Sequence, residues 1–515
     1  MKRIHTIAFL ILICSCVSKP QGESGIKGSS HVYVMPLVAG ENSLIQHIEL
    51  DLPVGSEPIQ MRYIRFTISQ EAKEQLESVS IHDQGQAEGF NVNARMFTQR
   101  VRPGSSNVEV PVRIRMQPGK NHLWVSAKLK ENAPPDGTLA VLVRDMVDQT
   151  DKSYRLTNVG HEGDPFWKRK AMVLREAGQK AHTYRIPGLI TTKKGTLIAV
   201  YDVRYENSKD LPGNIDVGMS RSEDGGRSWE PMRIIMDMGK PQDGNGIGDP
   251  CILYDPAADK IIVAALWSKG DRSIRSSGPG LKPEETGQFM TVESTDDGRN
   301  WTMPRSITPM VKDPAWRIFF QAPGVGIVMK DGTLVMPAQY WDASGLPHST
   351  IVFSKDHGAT WKRGTGAAPN TTECQVVETQ PGVLMLNMRD NRGGYRTVAT
   401  TRDLGKTWEP HPTSGRALPD PVCMAGLLRA GVDVSGAAKD ILFFSNPMSG
   451  RERVNLGIRV SRDLGESWSE GQLIDERKSY GYSVMTRIDA NTIGLLYEGT
   501  GSLYFMRIPV KELIR

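Results

Sequence analysis

Between Asn107 and Met116 apolar and polar positions alternate: Val108, Val110, Val112, Ile114 and Met116 share one parity, and Glu109, Arg113 and Arg115 the other. Leu123, Val125, Ala127 and Leu129 repeat the pattern. A period of two sends successive side chains to opposite faces of an extended chain, so each run predicts a half-buried strand. Similar runs, separated by Pro-Gly and Asp-Gly turn signals, make 31–160 read as a small β-sandwich.

From Trp167 onward a longer period takes over. The pattern S/T-x-D-x-G-x-x-W occurs five times, with its Asp at Asp224, Asp296, Asp356, Asp403 and Asp463 and its Trp at Trp229, Trp301, Trp361, Trp408 and Trp468. Successive Asp residues are 72, 60, 47 and 60 positions apart. Each copy predicts a stapled hairpin. The carboxylate accepts backbone N–H bonds inside the turn, Gly supplies a positive φ, and the indole folds under the loop into the sheet. Short strands repeated at about 60 residues predict propeller blades. The span 167–515 holds six such units, one of them without the box. The fold class is therefore all-β: a six-bladed β-propeller preceded by a small β-sandwich. The five Asp residues are read as structural.

Composition narrows the function. The 51 Gly and 32 Pro suit a turn-rich β protein. The net charge of +5 comes without long Lys/Arg blocks, which sets nucleic acid aside as a partner. The chain has no HExxH, no CxxC, no P-loop and no GxGxxG after a strand, so neither a metal nor a cofactor is expected. Lys2 and Arg3 precede a short apolar run from Ile7 to Cys14, too short for a membrane span. The following Ser15-Cys16 completes a segment that resembles a bacterial lipobox. Residues 1–16 are expected to be a lipoprotein-type signal with Cys16 lipidated, a plain cleaved signal being the alternative, and 17–30 a flexible tether. The expected location is the periplasm, the outer membrane or the cell surface of a bacterium, with membrane contact only through the lipid. Cys251, Cys374 and Cys423 are too few for a disulfide framework and are expected to be buried thiols.

Segments between the boxes carry the candidate chemistry. Tyr184-Arg185-Ile186-Pro187 leads into a strand expected over 188–199. Arg204 and Asp210 follow it, Asp210 in a turn-like stretch and Asp216 in the next strand. Asp249 and Gln321 precede Pro250 and the Ala322-Pro323-Gly324 turn. Glu373 and Glu378 have opposite parity, so only one of them faces a given side of a strand. Arg389, then Arg451 and Arg453, then Tyr480 and Tyr482, and finally Glu498 complete the set.

The five boxes and these segments, in this order, resemble the sialidase (neuraminidase) family over the C-terminal two-thirds of the chain. The resemblance implies an exo-α-sialidase that removes terminal α-linked sialic acids from glycoproteins, glycolipids and oligosaccharides with retention of configuration. It implies that Arg185, Arg389 and Arg453 (rather than Arg451) clamp the substrate carboxylate and that Arg204 lies near the bound sugar. Tyr482, rather than Tyr480, is the implied nucleophile and Glu373 its base. Asp210 is the implied acid and base, with Asp216 ranked behind it. Glu498 is implied to orient Arg185, and Asp249 and Gln321 to line the pocket. The N-terminal sandwich is expected either to contact glycans or to act as a spacer.

The chemistry agrees with these residue types. Guanidinium groups are planar, permanently charged forks that match a carboxylate. Three of them repel one another unless an anion joins them. A Tyr nucleophile is neutral and so is not repelled by the carboxylate at the anomeric centre. A phenol near pKa ~10 needs a base beside it. Two rivals share the scaffold: a trans-sialidase, and a non-catalytic sialic-acid-binding propeller that keeps the arginines and loses Tyr482, Glu373 or Asp210.

Overall fold

The computed structural model describes residues 26–102, 104, 107–159, 167–239, 244–270 and 272–514. The expected signal, Cys16 and the first part of the expected tether lie outside the described residues.

Two sheets form the N-terminal sandwich. In the first, the strand order is Thr157–Val159, Lys27–Val32, Asn42–Leu52, Gly119–Leu129, Leu76–Asp83 and Arg95–Arg100. In the second, Thr138–Asp148, Ile59–Ile68 and Asn107–Met116 lie side by side. The alternating runs are indeed strands, and their apolar parity is buried. Val110, Ile114, Val125 and Leu129 join Ile48, Leu50, Ile64 and Phe66 in one core. Lys27–Ser30, at the end of the stretch expected as tether, is part of a strand paired with Asn42–Leu52. Its Gly-Ser composition hides this, because backbone pairing and a buried Ser30 bonded to Gln46 (3.0 Å) fix it rather than apolar side chains.

The described residues of the C-terminal part form six blades. Blade 1 comprises Thr183–Thr191, Leu197–Arg204, Ile215–Ser222 and Arg233–Met236. Blade 2 runs from Gly246–Asp255 to Arg305–Ser306, and blade 3 from Ile318–Gln321 to Lys362–Arg363. Blade 4 runs from Thr371–Gln380 to Glu409–Pro410, and blade 5 from Gly426–Val434 to Gln472–Asp475. Blade 6 takes Ser483–Asp489, Thr492–Glu498 and Leu503–Pro509 from the C-terminal end and its outer strand, Trp167–Arg175, from the beginning of the propeller segment. That exchange explains the missing box. The boxes join the third and fourth strands of blades 1 to 5, and blade 6 has no such hairpin.

One expectation needs correction. The single strand expected over 188–199 is two strands, Thr183–Thr191 and Leu197–Arg204, joined by a tight turn in which Gly195 has φ +84°. Gly195 N–H and Thr192 N–H close the turn on Thr192 O and Thr196 O (2.9 Å each). Arg185 therefore lies inside the first strand of blade 1 and not ahead of it.

The boxes have the geometry their residues suggest. Gly226 N–H donates to Ser222 Oγ (2.8 Å), while Asp224 accepts the Arg227 and Ser228 N–H groups (3.0 Å each) and the Ser228 hydroxyl (2.6 Å). Burial would raise the carboxyls of Asp224 and Asp296, but the hydrogen bonds they accept outweigh it and bring both down to about 2. A Cβ on Gly226, at φ +87°, would meet the Phe505 ring at 2.2 Å. The residue ahead of the box Gly often ties its blade to the one before. Asp297 accepts from Thr192, Thr196 and Arg221 of blade 1, and His357 bonds Asp255 of blade 2.

Candidate active site

In a blade of four antiparallel strands, the connection between strands two and three opens opposite the boxes. The residues that the resemblance assigns to the site lie at that end. Arg204, Arg389 and Glu498 lie at or near the ends of second strands, and Asp210 and Arg453 in the loops that follow such strands. Arg185, Asp249 and Glu373 lie near the beginnings of first strands, and Tyr482 directly before one. Gln321 ends the first segment of blade 3.

Tyr482 is the hub. It is buried, and its hydroxyl donates to Glu373, 2.5 and 2.7 Å from the two carboxylate oxygens. The Arg389 guanidinium donates to the same hydroxyl (3.0 Å) and to Glu373 (2.6 Å). The Arg185 and Arg453 guanidinium carbons stand 5.1 and 5.6 Å from the centre of the Tyr482 ring. Three guanidiniums from blades 1, 4 and 5 thus converge on one phenol from blade 6. Burial first, and then the Glu373 charge, push the Tyr482 hydroxyl well above its ordinary pKa, against the opposing pull of Arg389 and Arg185. The unliganded phenol keeps its proton.

Each arginine has its own support. Glu498, fully buried, takes Arg185 Nε (3.1 Å) and Nη2 (3.3 Å) together with the N–H groups of Ile186 (2.9 Å) and Tyr482 (3.0 Å). Burial alone would lower Arg185, but Glu498 outweighs it and secures the charge. The Tyr480 ring lies under the same guanidinium at 4.6 Å. Arg453 donates to the carbonyls of Tyr480 (2.9 Å) and Val422 (2.8 Å). Each of its terminal nitrogens keeps a second hydrogen, which leaves both free to meet an anion. Among the described residues the buried Arg389 Nε has no hydrogen-bond partner.

Arg204 and Asp210 face the pocket from blade 1. Asp210 is 66% exposed on its loop, 2.8 Å from Arg204 and 3.7 Å from Arg185. Arg204 is anchored by Asp202, a buried carboxylate that the sequence reading did not single out. Asp202 and Arg204 are two apart on one strand and therefore share a face, which is the signal that was there to be read. Asp202 also accepts the Asp249 N–H (2.8 Å), at a bulge where Asp249 adopts φ +57°. Burial, opposed by Arg204, brings Asp202 up to about 6. Asp249 is raised well above the usual carboxylate range by burial and then by Asp202. Gln321, fully buried, donates to Asp249 O (2.7 Å), and among the described residues its own Oε1 has no partner.

The competing positions fall elsewhere. Asp216 accepts the Tyr205 hydroxyl (2.8 Å). Glu378 caps turns at the other end of its strand, accepting the Lys330 and Gly382 N–H groups (2.8 Å each). Arg451 is exposed.

A BNR repeat-like domain model matches residues 195–495, and the model for the N-terminal domain of BNR-repeat neuraminidase matches residues 38–152. The chain belongs to the BNR-repeat neuraminidase family. A sialidase of Bacteroides fragilis is 45% identical over 410 residues, covering 77% of this neuraminidase and 75% of its relative. The structure of the Hadza microbial sialidase Hz136, 37% identical, superposes with a TM-score of 0.86 over 94% of this chain and 100% of its own. Trypanosoma rangeli sialidase in complex with sialic acid, at 22% identity and a TM-score of 0.57 over 65% of this chain and 58% of its own, shares the fold. The chain is a glycoside hydrolase of the exo-sialidase class.

Proposed function

We propose that the enzyme hydrolyses terminal α-linked sialic acids on glycoproteins, glycolipids and oligosaccharides with retention, through a covalent bond to Tyr482. The observation that carries this reading is the Tyr482 hydroxyl held between both Glu373 oxygens and Arg389, beneath Arg185 and Arg453. The substrate carboxylate sits among the three guanidiniums and brings its anomeric carbon over the phenolic oxygen.

In the first step the phenolic oxygen bonds to the anomeric carbon as its proton passes to Glu373. The bond from the anomeric carbon to the glycosidic oxygen breaks, and Asp210, protonated at the start, gives its proton to that leaving oxygen of the aglycone. Proton transfer accompanies attack along the hydrogen bonds that the hydroxyl donates to both Glu373 oxygens. In the second step Asp210 takes a proton from water, which attacks the same carbon. The Tyr482 oxygen leaves and recovers its proton from Glu373. Two inversions give net retention.

Incubation with a fluorogenic sialoside, followed by proton NMR of the sugar as it is released, tests the reading. The α anomer should appear first, and Arg389→Ala should raise KM steeply. A β anomer as first product, or an Arg389→Ala variant with the parental KM, would overturn it. Repeating the incubation with a galactoside acceptor separates hydrolysis from transfer.

A further inference from the structure

The strand that carries Arg389 and the turn that braces Arg453 meet at a further, fully buried arginine. Arg396 lies in the loop after the second strand of blade 4, with its side chain fully enclosed. Its Nε donates to Asn387 Oδ1 (2.7 Å) and its Nη2 to Asn387 O (3.2 Å). Asn387 is two positions before Arg389 on the same strand, hence on the same face. From its other edge Arg396 Nη1 donates to Cys423 O (2.5 Å) and faces Asp420 at 3.5 Å. Asp420 is buried, accepts the Cys423 N–H (3.1 Å) and faces the Asn446 amide.

This pair pins a turn that holds its shape against a local cost. Val422, between Asp420 and Cys423, has φ +58°. A β-branched residue avoids that region, and such strain persists only where surrounding bonds over-determine it. The strain aims the Val422 carbonyl at Arg453 Nη2 (2.8 Å). Cys423 and Met424 then pack against Tyr482 and Ile186.

We infer that Arg396, with Asp420, is a positioning residue: a buried strut that sets the spacing between Arg389 and Arg453 and so the width of the carboxylate clamp. This rests on the reading of those two arginines as carboxylate ligands. Lysine cannot replace the strut, because one ammonium does not span Asn387 and Cys423 O as the planar fork does.

The test is a mutant cycle on the intact chain. Arg396→Lys should raise KM for a sialoside by about 10-fold or more, in line with the cost of small displacements in a binding site. Its kcat should change much less. Combined with Arg453→Lys, it should raise KM by clearly less than the product of the two single effects. If Arg396→Lys does not fold, Asp420→Asn, of the same shape, takes its place in the cycle. A parental KM in the strut variant overturns the inference, as does a KM in the double variant equal to that product. A purely structural role would lower melting temperature and leave KM unmoved. If Arg453→Lys by itself leaves KM unchanged, the clamp reading fails instead, a separate result.

Discussion

At the scale of single residues, the site separates carboxyls by their surroundings. Asp216 and Asp210 are six positions apart, yet one takes a Tyr hydroxyl and the other faces two guanidiniums. Burial, with the Tyr205 hydrogen bond opposing it, brings Asp216 up to about 6 from 3.8. Its ionised form therefore opposes folding. The penalty is absent below about 4, where both states are protonated, and complete above about 6, where both are ionised. Asp216→Asn should accordingly raise the melting temperature relative to the parent at pH 7 and not at pH 4, with unchanged turnover. Thermal melts at both pH values check this, and an equal shift at each would contradict it. The family resemblance pointed to Tyr482, Glu373 and the arginines from distant segments, and the fold brings those side chains together. The anchoring of Arg204 by Asp202 was legible as a shared strand face, two positions apart, whereas the Asp249 N–H that Asp202 takes from the next blade left no mark in the sequence.

At the scale of elements, the box repeat was the most legible feature, because the bonds of its Ser/Thr, Asp and Gly positions are local. Ser222, Asp224, Gly226 and Ser228 satisfy one another within a single hairpin. Asp224→Ala removes the acceptor for two backbone N–H groups at a site remote from Tyr482. It should lower the melting temperature by about 2–4 °C, the effect of ~1 kcal/mol in a large domain. The rate at 25 °C should stay near parental. Scanning fluorimetry beside a fluorogenic assay measures both, and a large loss of rate without loss of stability would show that the box does more than staple. The turn at Thr192–Thr196 is local as well, and the polar run Thr191-Thr192-Lys193-Lys194-Gly195-Thr196 between two apolar stretches marks it; the expectation of one strand over 188–199 passed over that signal.

At the scale of the molecule, the sandwich and the propeller share a strand. Trp167–Arg169 pairs with Thr138–Ala140 of the sandwich, and Met172–Arg175 pairs with Leu503–Phe505 of blade 6. Asp136 of the sandwich accepts from Arg227 of the first box (2.8 Å) and from Arg507 of blade 6. Glu476 N–H donates to Val34 O (2.9 Å), and Val34 N–H donates to the Glu476 carboxylate (3.1 Å), across the same junction. A continuous sheet couples the two units, so calorimetry should give one unfolding transition. Two well-separated transitions would mean that the shared strand does not transmit cooperativity. The sequence showed two patterns on either side of 160–167 but not that one strand belongs to both, since pairing partners leave no mark on a single chain.

The central claim is that the phenolic oxygen of Tyr482 attacks the anomeric carbon. A sialic acid carrying fluorine at C2 and C3 tests it most directly. The C2 fluoride leaves readily, while the C3 fluorine destabilises the positive charge that develops in both steps, so the covalent species accumulates. After brief incubation, denaturation and digestion, mass spectrometry should place one fluorinated sialyl group on Tyr482 and none on a Tyr482→Phe chain. A label on Glu373, on Asp210 or on any other residue would contradict the account.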